Sequence, residues 1–252
     1  FGAQPNAKNI GNLTAAMHAA QFGDRAMVNM LLEAGAEEDE LTRVFLAAYR
    51  WEEPARSPEF QKCVAELEEF TGMTSQPIDQ DKGRGMVTVF LHAEEEAQAL
   101  RDIDPELSQY TAERIAYAKQ VANIFEALQD RFLERGFYLC RIGAYAVVDR
   151  GRVLGLFPTD NPFEIMAFVN VNGNEVELRT DEVISWFQKF YQDHPFRLTA
   201  CLADTVEITL LNPVLDTMKL ARALYCFCPD MVEQGTETIG ALAEQLRNSP
   251  RI

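Results

Sequence analysis

The chain has 252 residues, 47% of them apolar and 25% charged, enough for one ordinary core and a smaller satellite. Lys and Arg number 23 against 39 Asp and Glu, so a formal charge of −16 repels phosphate backbones and argues against direct binding of DNA or RNA. No apolar run approaches the roughly 20 residues of a membrane-spanning helix, and no membrane association is expected.

The opening FGAQPNAKNI lacks the basic and apolar stretches of a signal peptide, and five scattered cysteines suit reduced core thiols better than a disulfide framework. Both point to a cytosolic protein. Gly2-Ala3 recurs as Gly35-Ala36, 33 residues on. Between them, Thr14 can start a helix whose inner face carries Ala15, Ala16, Ala19 and Ala20, and Gly23 permits a turn. A second helix presents Met27, Val28, Leu31 and Leu32 on one face and stops at Gly35. These residues resemble an ankyrin repeat in period and in Thr14, Ala19, Ala20, Gly23, Val28, Leu31, Leu32, Gly35 and Ala36. Ala15, Ala16 and Met17 depart from the Pro, Leu and His that the family prefers. A weaker copy comes next, with Val44, Phe45, Ala47 and Ala48 on one helix and Phe60, Cys63, Val64 and Leu67 on another across WEEPARSP. The resemblance implies an ankyrin-like helical segment over residues 1–70, serving either as a protein-binding surface or as a buttress for the C-terminal domain.

Residues 71–85, TGMTSQPIDQDKGRG, read as a linker, and residues 86–252 as an α+β domain. MVTVFLH is a short strand, followed by a long amphipathic helix with Ile115, Ala118, Val121, Ala122, Phe125, Leu128 and Phe132 on one face, ended by Gly136. FYLCRI, YAVV and RVLGLF favour strands, the last two joined by a turn at Asp149-Arg150-Gly151, and antiparallel pairing is expected. Thr180 is placed to cap a helix that buries Val183, Ile184, Phe187, Phe190 and Tyr191. FRLTAC and TVEITL alternate as a hairpin with one face on the core, and DTMKLARALYCF and TETIGALAEQL are helical. Strands interrupted by helix pairs predict an α+β fold, a mixed or antiparallel sheet covered by helices, with the helical repeat segment packed on it.

About residues 111–252 resemble the bacterial domain of unknown function 4253 through LFPTDNPFE, TDEVISWFQKFYQDHPFRLT and LARALYCFCPDMVEQGTETIGALAEQL. That resemblance implies a fold and no mechanism. Its usual Trp-rich terminal strand is not found before Arg251-Ile252.

Chemistry-bearing residues are sparse. His18, His92 and His194 are far apart, Cys226 and Cys228 have neither the spacing nor the histidine partners of a zinc site, and no metal or cofactor is expected. Phosphate-binding loops, H-E-x-x-H and G-x-S-x-G are absent from the sequence. Acidic runs at 37–40, 66–69 and 94–96 read as solvated faces. The loop CPDMVEQGTE gathers Asp230, Glu233, Gln234, Thr236 and Glu237, enough oxygens for acid–base work or a cation, although Asp230 and Thr236 are also natural helix caps. Three functional expectations result. The leading one is a protein-binding module with a basic partner, toxin neutralisation being one version. A second is an enzyme whose site gathers Arg141, Asp160, Tyr225, Cys228, Asp230 and Gln234 around CPDMVEQG, and a third is a structural module of a longer chain.

Overall fold

The computed structural model describes residues 4–9, 13–22, 24–47, 50–77, 85–142, 153–173 and 178–252. Gly2-Ala3, Gly11, Gly23, Ala48, the YAVV run and the Asp149-Arg150-Gly151 turn lie outside the described residues. Helices α1 (Ala15–Gln21) and α2 (Arg25–Glu33) form the first pair. Thr14 Oγ1 accepts the Met17 N–H at 3.2 Å, and Gly35 supplies a φ of +91° beyond α2, each helix end as the residue types require. On α1 it is Ala16, Met17 and Ala20 that are buried, while Ala15 faces solvent.

Six strands form a mixed sheet in the order β1-β2-β4-β3-β5-β6: β1 (Gln76–Pro77), β2 (Val87–Phe90), β3 (Tyr138–Ile142), β4 (Val153–Phe157), β5 (Phe196–Cys201) and β6 (Val206–Leu210). All neighbours are antiparallel except β3 and β5, which are parallel over the pairs Arg141 with Ala200 and Ile142 with Cys201. The fold is thus α+β, as expected from the sequence. Alternation sends Val153 and Phe157 of β4 and Tyr138, Cys140 and Ile142 of β3 into one core, and Leu154, Leu156 and Leu139 into another.

Helices cover both faces. The first core receives Val28, Val44, Phe45 and Leu46 from α2 and α3 (Glu40–Ala47), with α9 (Pro162–Val169), α10 (Thr180–Asp193), α11 (Thr217–Phe227) and α12 (Ile239–Asn248). The second receives α5 (Pro58–Thr71), α6 (Glu94–Ile103), α7 (Gln109–Ile124) and α8 (Asp130–Leu133). Trp51 belongs to the first core and Ala55 and Phe60 to the second, so the chain changes faces across the short α4 (Glu52–Ala55). The second helix pair read from the sequence is therefore divided. Phe60, Cys63, Val64 and Leu67 are buried on α5 as their spacing predicts, but under the opposite face from Val44 and Phe45.

Several local expectations change. Helix α6 was unforeseen, and residues 94–96 form its acidic first turn, where the helix dipole favours carboxylates. Helix α9 was unforeseen too, although Asn161 caps it through its side chain and Pro162 occupies the first turn. On α7 the buried residues are Ala112, Ala116, Tyr117, Val121 and Ile124, with Ile115, Ala118 and Ala122 exposed. A π turn at Phe125–Gln129 lets Leu128 and Phe132 rejoin the buried stripe, so a single helical period misjudges the face upstream. Thr180 is the first residue inside α10 and its hydroxyl donates to Asn170 Oδ1 at 2.9 Å, while the Arg179 N–H donates to Glu182 Oε2. Residues 250–252 pair antiparallel along the outer edge of β6, with the Leu210 N–H donating to Pro250 O at 2.7 Å and the Ile208 N–H to Ile252 O at 2.9 Å. Among the described residues, no helix is long and apolar enough to cross a membrane.

Candidate functional site

The helix α10 places Val183, Trp186, Phe187 and Phe190 along one stripe, the i, i+3, i+4, i+7 spacing of a single face. Trp186 lies flat against Phe227, at the end of α11, with ring centroids 4.0 Å apart and planes 11° from parallel. Phe190 stacks on Trp186 at 4.9 Å. Beyond α11 a π turn, Met231–Thr236, carries the chain to α12, and Glu237 closes it with a φ of +66° and an N–H donated to Val232 O at 2.7 Å.

Between α10, the end of α11, this π turn and the β5–β6 hairpin lies a cleft of about 570 Å³, within the roughly 300–1,000 Å³ typical of ligand pockets. Its walls are apolar, drawn from Val183, Phe187, Val206, Ile208, Leu224 and Phe227. Polar side chains come from Asn172, Asp204, Thr205, Asp230 and Gln234, with Cys228 beside them, while Glu207 reaches the lining from β6 with its carboxylate paired on the opposite face of the sheet. Among the described lining residues three are acidic, Asp204, Glu207 and Asp230, and none is Lys, Arg or His.

The carboxylates differ in what holds them. Glu207 is ion-paired with both Arg141 and Arg251. Burial raises the affinity of Glu207 for a proton, but the hydrogen bond from Arg251 and the Arg141 charge outweigh it, leaving the carboxyl below its ordinary value. Asp204 is exposed and accepts the Thr205 hydroxyl at 3.2 Å. Asp230 is half-buried, and among the described residues its carboxylate has no hydrogen-bond or ion-pair partner. Of the capping roles offered by the sequence, Asp230 holds the N-cap position of the π turn without a side-chain hydrogen bond, and α12 is capped by Thr238, which accepts the Ala241 N–H, rather than by Thr236. Glu237 sits in a left-handed turn before α12.

Of the six residues that the sequence offers as an enzyme site, Cys228, Asp230 and Gln234 line this cleft. Arg141 does not. Its neighbours Cys140 and Ile142 point into the first core, so strand alternation turns Arg141 to the other face of the sheet, where it meets Glu207. Asp160 is exposed ahead of α9, and Tyr225 is packed against the first core without contributing to the cleft lining. Cys228 is the C-terminal cap of α11, its N–H donating to Leu224 O at 2.8 Å, and is half-buried. Trp186, Phe187, Phe227 and Asp204 were not foreseen as site residues. The i+3 position of Trp186 after Val183 marks it as facing inward, but nothing in the sequence indicates that Phe227 meets it.

The three histidines stay apart: His18 stacks on Phe22, His92 lies 4.0 Å from Glu94 and His194 ends α10 against Phe190. Among the described residues no group of three or more His, Cys, Asp or Glu could hold a metal ion.

A family model, Domain of unknown function (DUF4253), matches residues 153–252. The match begins at β4, later than the start of the resemblance over about residues 111–252, and contains every lining residue of the cleft. Neither the curated proteins nor the solved structures contain a match to this chain.

Proposed function

We propose that the chain is a cytosolic protein-binding module whose cleft receives a side chain presented by another protein. The observation that carries this reading is the apolar, aromatic-walled cleft with polar groups at its lining, a form suited to holding an inserted group. The resemblance of the first helix pair, α1 and α2, to an ankyrin repeat supports it, since such pairs serve as contact surfaces. Exposed Phe22, Met27 and Met30 on and beside those helices would add apolar area to an interface. Neutralisation of a toxic partner is a finer version of the same reading.

A plugged cleft tests it. Gly235 lines the cleft, has no positive φ, and a Cβ added there meets nothing within 4 Å, so Gly235→Phe fills the space without straining the backbone. Wild type and Gly235→Phe, shown to melt alike, are used as paired baits. A partner held by the wild type and lost from the plugged bait is the expected outcome; identical partners on both baits would refute the cleft as the contact.

A further inference from the structure

Resting on the binding reading above, we infer that the inserted group is a cation on an apolar stem: an arginine or lysine side chain in a basic segment of the partner. Two independent features of the cleft demand those two halves. The walls supplied by Val183, Phe187, Val206, Ile208 and Leu224 match an aliphatic stem, and Phe227 adds an aromatic face. Long basic side chains are the ones that bury such stems while keeping a charged head in polar surroundings.

The charged head is matched by Asp230. Glu207 is already balanced by Arg141 and Arg251, and Asp204 is solvated, whereas the Asp230 carboxylate is half-buried and unpartnered among the described residues. A carboxylate drawn partly out of water carries a desolvation cost that a cationic donor recovers. Asp230 stands at the N-cap position of the π turn, but its carboxylate makes no capping hydrogen bond there, which leaves it free for a ligand. The absence of described basic residues from the lining leaves no competing internal cation there. A chain carrying a formal −16 also attracts a basic segment during encounter, which adds a salt-dependent association rate.

The test uses short capped peptides, Gly-Arg-Gly and the same peptide with neutral citrulline in place of arginine, titrated against the full chain by Trp186 fluorescence. Trp186→Phe serves as the blank, because Trp51 is the other tryptophan and is buried at 2% exposure. The arginine peptide is expected to bind at least about tenfold more tightly than the citrulline peptide, and Asp230→Asn to abolish about that much of the difference, the ratio of one charge-assisted hydrogen bond. In a Cys226→Ser background the arginine peptide should also slow alkylation of Cys228, which lines the same cleft. Equal affinity for the two peptides, or an unaltered preference in Asp230→Asn, overturns the cationic inference. If Gly235→Phe still blocks partner capture in that event, the binding reading survives alone. No peptide binding, with partner capture indifferent to Gly235→Phe, sinks both.

Discussion

Replacing Gln129 by leucine should destabilise the protein by about 2 kcal/mol while leaving the cleft untouched. Gln129 is 7% exposed and ends the π turn Phe125–Gln129 under the sheet. Its Nε2 donates to Leu139 O at 2.8 Å and to Leu198 O at 3.2 Å. These carbonyls belong to β3 and β5, the parallel neighbours whose direct pairing covers only the pairs beginning at Arg141 and Ile142. At the other end of that seam the strands are thus bridged by a side chain, and the Leu198 N–H donates in turn to the buried Tyr138 hydroxyl at 2.6 Å. Leucine keeps the volume and removes both donors. Stranding a buried acceptor costs roughly 1–3 kcal/mol, the lower part applying here because both residues retain ladder partners. Two such losses, less roughly 1 kcal/mol regained from burying an apolar side chain, give the stated figure. In a chain of this length that is a fall in Tm of about 4–8 °C. Urea unfolding followed by circular dichroism should show a lower midpoint with an unchanged slope. A Gln129→Leu protein within about 0.5 kcal/mol of wild type would refute the bridging role, because that is the scatter of surface substitutions.

Three further outcomes are expected from the same structure. Tyr138→Phe should cost roughly 1–3 kcal/mol by orphaning the buried Leu198 N–H, measured by the same urea titration; the buried Tyr138 phenol, held above its ordinary pKa by desolvation, should remain un-ionised in an absorbance titration through the usual tyrosine range. Gly85→Ala should destabilise by roughly 2–4 kcal/mol, since φ is +108° and the new Cβ would lie 2.6 Å from both Trp51 O and Ala55 Cβ, at the point where the chain changes faces; Gly235→Ala, in open space, should be neutral or stabilise by up to about 1 kcal/mol, and paired thermal melts decide. Glu207 is held below the ordinary carboxylate range in the folded chain, so its contribution is present above that range and is lost as pH falls through its lowered folded pKa; Glu207→Gln should flatten the acid limb of the stability profile, and an unchanged limb would contradict the Arg141–Glu207–Arg251 pairing.

Much local chemistry was legible in the sequence where one short stretch contains both partners, although the caps of α10 and α12 fall one and two residues from the threonines the sequence offers. Thr14 caps α1, Gly35 and Gly136 take left-handed turns, and the alternation of β5 and β6 matches their antiparallel pairing, because caps, positive φ and strand pleat are decided within a few residues. The CPDMVEQG loop was recognisable as polar and irregular, and three of its expected site residues do line the cleft. What periodicity reports is that a face is apolar, without naming what covers it. Hence α3 and α5 could be read from sequence as a pair although they lie under opposite faces of the sheet. The stack of Trp186 on Phe227 joins residues 41 positions apart, and only the packing of α10 against α11 creates it. Arg141 parts from Cys228 for a similar reason, since strand register decides the side to which a residue points. The residues themselves determined the helix ends, the strands and the acidic character; the sheet, by setting two faces and closing one against α10 and α11, decided which of those residues share a cavity.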